Sequence, residues 1–210
     1  MKMTLLGALS LLATPALAQA PAPVIDNGQV TVRDIALEPD TPVPAIAHAG
    51  DYVILYFQGG RIRGADGKTR AHPSGGAFFG HGGTTRDTAL GKAAHEVVVE
   101  LKDAPSKTVP NTTGLPPAFP RPGSKKILEN DRVRVWNYTW LPGKPTPMHF
   151  HDKDVLVVFE ANGTLQSTTP DGKSTVSEIT FAKVSFNRRD RTHSEMLLSG
   201  HARAVVVELK

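Results

Sequence analysis

The sequence predicts an all-β protein made of two small jelly-roll-type barrels, copies of one module of about 80 residues joined by a Pro-rich linker. Three observations carry this. Apolar residues fall in short β-branched runs bounded by Gly, Asp-Gly or Pro, among them residues 52–57, 97–101, 155–159 and 204–209. The chain also matches itself at an offset of 103. Asn27 meets Asn130, Val30 meets Val133, Val32 meets Val135, three prolines recur, His48 meets His151, Asp51 meets Asp154 and Gly60 meets Gly163. That makes nine identities over 36 positions, where average composition would give about two. Finally, residues 103–126 hold six prolines, which interrupt both helix and sheet ladders.

Taken in order, residues 1–18 read as an export signal. Lys2 is followed by a short apolar run, and Ala16-Leu17-Ala18 offers small residues for cleavage after Ala18. The run is too short to anchor in a bilayer, so the mature chain is expected to be periplasmic or secreted, without stable membrane insertion. The first module spans 24–102, the linker 103–126 and the second module 127–210. A helical turn is expected over 88–94, and the Gly-rich stretch 64–83 reads as a long loop. The register of the repeat drifts to 105 at Asp171-Gly172-Lys173 and to 108 at the closing Val-Val-Val-Glu-Leu-Lys, as loop insertions would cause.

Composition narrows the chemistry. The chain has 210 residues, no cysteine and eight histidines. Thiol nucleophiles, disulfides, iron–sulfur clusters and cysteine–zinc sites are therefore excluded. Any metal must be held by His, Asp or Glu. The net charge of +4 is spread along the chain rather than clustered, which argues against nucleic acid as a partner.

The histidines are informative. His149 and His151 are two apart, so on a strand both imidazoles share a face. A third ligand from a neighbouring strand would complete a metal site, and His193 is the natural candidate. Gly143, His149, His151 and Gly163 are spaced as in the first motif of the cupin superfamily, whose barrels are of jelly-roll type and are often duplicated as bicupins. This resemblance covers both modules. It implies a divalent metal at His149, His151 and His193, with iron, zinc, manganese, nickel and copper not distinguishable.

Departures from the motif are equally specific. The motif's Glu falls at Leu156 or Val155, neither of which can ligate. Asp154 reads as a turn residue rather than a ligand. Glu195 shares the face of His193 and is a weaker ligand candidate. In the first module the matching positions hold Ile46 and His48, and the partner of His193 falls near Arg86, so this module reads as structural. His72 and His81 fall in the Gly-rich loop, and His95 and His201 at strand edges. Trp136, Tyr138 and Trp140 share one face and are expected to pack between the modules, the alternative being a pocket lining. Arg188, Arg189 and Arg191 read as a solvated loop, the alternative being an anchor for a carboxylate.

The functional expectation is an exported, metal-dependent enzyme acting on a small organic molecule. The reaction could be oxygenation, isomerisation, lyase chemistry or hydrolysis. A non-catalytic metal or small-ligand binding protein and a metal-free structural cupin are the alternatives. A homodimer is compatible with all three.

Overall fold

A computed structural model describes residues 19–104 and 107–210; the export signal read at 1–18 lies outside them. Among the described residues there is no helix, hence none long and apolar enough to cross a membrane. The N-terminal half contributes β1 (Ile25–Asp26), β2 (Val30–Leu37), β3 (Ile46–Gln58), β4 (Gly60–Arg63), β5 (Thr69–His72), β6 (Gly76–Thr85), β7 (Thr88–Ala89) and β8 (Ala94–Leu101). After the linker come β9 (Ser124–Glu129), β10 (Val133–Thr139), β11 (His149–His151), β12 (Val155–Phe159) and β13 (Gly163–Thr168). The chain closes with β14 (Ser174–Ile179), β15 (Val184–Asn187), β16 (Arg191–Gly200) and β17 (Arg203–Leu209).

Each half forms one large and one small sheet. The large sheets run β1-β2-β8-β3-β6 and β15-β12-β17-β10-β9, and the small ones β5-β4-β7 and β11-β16-β13-β14. The central trios β2-β8-β3 and β10-β17-β12 are counterparts. Their near-continuous valine runs have a physical reason, because both faces of these strands are buried. Val53, Leu55, Val97 and Val99 on one side meet Val133, Val135, Leu156 and Val207 on the other, within a single core of fifteen buried residues drawn from both halves. The opposite faces of the same strands fill the two barrel interiors.

The repeated residues hold the two halves in place. Asn27 Oδ1 accepts the backbone N–H groups of Gln29 and Val30, and Asn130 Oδ1 accepts those of Arg132 and Val133. Each Asn thus starts its central strand with the same side-chain turn. Asp154 is fully buried and accepts the Gln29 amide at 2.6 Å from the other half. Asp51 accepts Arg132 at 2.9 Å. Gln29 and Arg132 are themselves 103 apart, so the two contacts are related by the pseudo-symmetry of the repeat. Asp154 is therefore an interface anchor, which replaces its reading as a turn residue. It also accepts the backbone N–H of Arg189 at 2.6 Å.

Three expectations are corrected. The helical turn over 88–94 is the short strand β7. The Gly-rich loop contains β5 and β6; glycine is needed at position 80 because a Cβ there would lie 2.3 Å from Tyr52 Cζ. Trp136, Tyr138 and Trp140 point into the C-terminal barrel rather than between the halves. In that interior the indole N–H groups find acceptors, Trp136 on Glu208 at 2.7 Å and Trp140 on Glu195 at 3.0 Å. The linker is extended as expected, yet it is not a bare spacer. Phe150 N–H donates to the Pro116 carbonyl and Ala118 N–H to the Phe150 carbonyl, so the linker covers the free edge of β11.

Candidate metal centre

β11 pairs antiparallel with β16, and the register sets His149 opposite His193 and His151 opposite Arg191. The two-residue spacing on β11 then brings the third imidazole to the same face. All three rings are buried, and one nitrogen of each lies within 4.8 Å of the others. Ring centroids are 4.7–5.1 Å apart. Among the described residues this is the one His/Asp/Glu cluster with such convergence. The histidines expected to act together from spacing alone are thus assembled by the fold.

Outer contacts fix how these rings face. His149 Nδ1 donates to the Pro147 carbonyl at 2.8 Å, which leaves Nε2 as its acceptor. His193 Nδ1 is bonded to Ser167 Oγ at 2.9 Å. His151 Nε2 and His193 Nε2 stand 3.1 Å apart, a separation that needs a proton or a cation between two lone pairs. His151 Nδ1 is buried without a partner. Burial lowers all three imidazole pKa values. His149 falls to about 4, helped by Arg121, and His193 to about 3, against the pull of Glu195; His151 falls further, with Arg191 adding to burial. Neutral imidazoles with oriented Nε2 atoms are the donor state a divalent cation requires. The residues present therefore fit the metal that the spacing implies.

Two further residues complete the site. Arg121, from the linker, donates to His149 Nε2 at 2.8 Å and to Glu195 Oε2 at 2.9 Å. Its guanidinium lies over the rings of Tyr138 and Phe119, at 4.1 and 4.7 Å from their centroids. Glu195 Oε1 is 4.0 Å from His193 Nε2, and Thr146 clasps the backbone of Glu195 through two hydrogen bonds. Burial alone would raise the Glu195 carboxyl, but Arg121, His193 and His149 hold it below the ordinary carboxylate range. The site thus carries an ionised carboxylate, although Val155 and Leu156 face apolar cores at the motif position. A cavity of about 160 Å³ opens onto these groups, walled by Trp140, Phe159 and Leu165 and reached by Arg121, Arg191 and Glu195.

The sequence reading missed Arg121 altogether. Its one signal was a charged residue inside a proline run. Arg191 is also placed differently: it lies on β16 and lines the cavity, whereas Arg189 turns to Asp154. The residue opposite Ile46 is Thr85, not Arg86.

No family model and no curated protein matches the sequence. Solved structures do match in fold. A Cupin 2 conserved barrel domain protein from Leptotrichia buccalis is 12% identical, with 90% of this chain and 87% of that chain covered and a TM-score of 0.56. AerE from Microcystis aeruginosa is 10% identical over 91% and 97% of the two chains, at a TM-score of 0.60. Oxalate decarboxylase from Bacillus subtilis, a protein with Mn(II) centres, is 10% identical over 86% and 69%, at 0.59. In fold, the chain is similar to these cupin-barrel proteins.

Proposed function

We propose that the C-terminal barrel binds one divalent metal through the Nε2 atoms of His149, His151 and His193 and acts on a small carboxylate-bearing molecule. The observation that carries this reading is the convergence of three buried, neutral imidazoles beside two arginines and one ionised carboxylate. A divalent ion held there supplies Lewis-acid polarisation of a substrate oxygen. Arg191 and Arg121 bind and orient the substrate carboxylate as planar donors. Trp140, Phe119 and Phe159 exclude water from the cavity. Glu195 holds or accepts a proton at Oε1, the oxygen not engaged by Arg121 and Trp140. The Mn(II) centres of the oxalate decarboxylase neighbour support a divalent metal, and the two arginines lining the cavity support a small carboxylic acid as the class of substrate. The export signal read from residues 1–18 would place this action outside the cytoplasm.

A second reading, a non-catalytic binding protein, draws on the bond from Arg121 to His149. That bond occupies the lone pair that a metal would take. Metal analysis of the purified protein tests whether the metal displaces that bond. About one ion per chain is expected, falling to near zero in His151→Ala; full metal in that variant refutes the site. Incubating the loaded protein with oxalate and other small carboxylic acids separates the two readings. Recovery of every bound acid unchanged would favour the binding protein.

A further inference from the structure

The N-terminal barrel, read from sequence as structural, also encloses a cavity, of about 220 Å³. Its position is that of the His-lined cavity in the other barrel. Ile54 and Tyr56 wall it, and their counterparts at the repeat offset, Val157 and Phe159, wall the other. The chemistry of the lining differs throughout. His48 is bonded to Thr85 Oγ1 at 2.8 Å and stacked on Tyr52 at 4.0 Å, and no metal cluster forms here among the described residues.

We propose that this cavity is a second, metal-free site for a small neutral polyhydroxylated molecule of about monosaccharide size, bound by Asp87, Tyr56 and Tyr52 and flanked by Phe78. Four observations carry the proposal independently of the reading of the C-terminal site. Tyr56 and Tyr52 line the cavity, and neither hydroxyl makes a hydrogen bond among the described residues or is sealed away from the cavity. Each is therefore free to bond a ligand that both donates and accepts. Asp87 is buried and lines the cavity, and its carboxyl lies beside that of Glu96, which is fully buried on β8 and has an unpartnered Oε2. Burial raises both carboxyls, Glu96 well above the ordinary range, so one proton can serve the pair and present a donor together with an acceptor. Hydroxyl groups match such partners because each both donates and accepts.

The flanking charges exclude the alternatives. An anion would face the carboxyl groups of Asp87 and Asp66 in the lining. A cation would face Arg70, which reaches the lining and is already paired with Asp66 at 2.6 Å. Aromatic faces suit the C–H face of a sugar or cyclitol ring.

The test is calorimetric titration of the full chain with D-glucose and with myo-inositol, and with choline and gluconate as charged probes. Saturable binding of a neutral polyol is expected, weakened about tenfold or more by Tyr56→Phe and by Asp87→Asn, since a polar partner is removed in each case. A His149→Ala/His193→Ala double variant should bind the polyol as the natural chain does, which locates binding in the N-terminal barrel. If Asp87→Asn fails to fold, Tyr56→Phe alone decides. The proposal is overturned by the absence of saturable polyol binding, by affinity kept within twofold in Tyr56→Phe, by loss in the double-His variant, or by tighter binding of choline or gluconate.

Discussion

Where His149 faces His193 in the C-terminal barrel, the N-terminal barrel sets Ile46 opposite Thr85. Where His151 faces Arg191, the other half sets His48 opposite Gly83. The backbone frames are equivalent, and the chemistry diverges at two of the three imidazole positions. The comparison teaches that site and fold are separable here. The shared valine core lies on the faces of the central strands that point away from both cavities. Either interior can therefore change its chemistry while the packing between halves stays as it is.

Grafting tests that separation most severely. Ile46→His/Thr85→His places imidazoles at every position of the trio on the N-terminal frame. Metal content measured by elemental analysis should rise from about one ion per chain toward two. A stoichiometry that stays at one would show that the partners of the rings, Pro147 and Ser167, matter more than the register. Truncation in the shared core should have the next largest effect. Leu55→Ala in one half and Leu156→Ala in the other each empty a fully buried position of this core and should cost roughly 2–5 kcal/mol in denaturant unfolding. Metal stoichiometry in the folded fraction should stay unchanged. If either variant costs under about 1 kcal/mol, the halves are not held by this core.

The same contrast explains what was legible in the sequence. The duplication, the strands and the His trio were readable because each depends on local period and spacing, as with His149 and His151 on one strand face. Arg121 was not readable. Its role follows from the pairing of Pro116 and Ala118 in the linker with Phe150, contacts remote in sequence that no local pattern encodes. Trp136, Tyr138 and Trp140 show the same limit from the other side. Alternation gave their shared face correctly, but both faces of β10 are buried, so hydrophobicity could not say which one looked inward. The deciding factor was hydrogen bonding of the indoles to Glu208 and Glu195. Glu195 itself was visible as a neighbour of His193, yet its importance depends on Arg121 and Thr146, both remote in sequence.

Acid should act on the two barrels unequally. In the metal-free protein the C-terminal trio is buried neutral, with pKa values below the unfolded value of 6.5. The unfolded chain therefore takes up more protons as pH falls, and unfolding free energy decreases with falling pH. The decline should begin near pH 6.5 and continue through about 4 for His149 and about 3 for His193. The N-terminal barrel contributes His48 and His72 to this effect, the pKa of each lowered by burial. His149→Gln/His193→Gln should flatten the pH profile of thermal unfolding over that window. An unaltered slope would mean that carboxylates elsewhere govern acid sensitivity.

The smallest expected effects come from the crossed contacts between halves, and their asymmetry makes them useful. Gln29 donates to Asp154, which is fully buried; Arg132 donates to Asp51, which is 19% exposed and also bonded to His81. Gln29→Ala removes one partner from a buried carboxylate that keeps Arg189, so a cost of about 1 kcal/mol is expected. Arg132→Ala should cost less, about 0.5 kcal/mol, because solvent screens an ion pair at the surface. Salt separates the two. In 1 M NaCl the screening length is about 3 Å, so the cost of Arg132→Ala should shrink while that of Gln29→Ala persists. Equal salt dependence in urea unfolding would mean that the two halves of the pseudo-symmetric contact are energetically alike. The burial of Asp154 would then not distinguish it from Asp51.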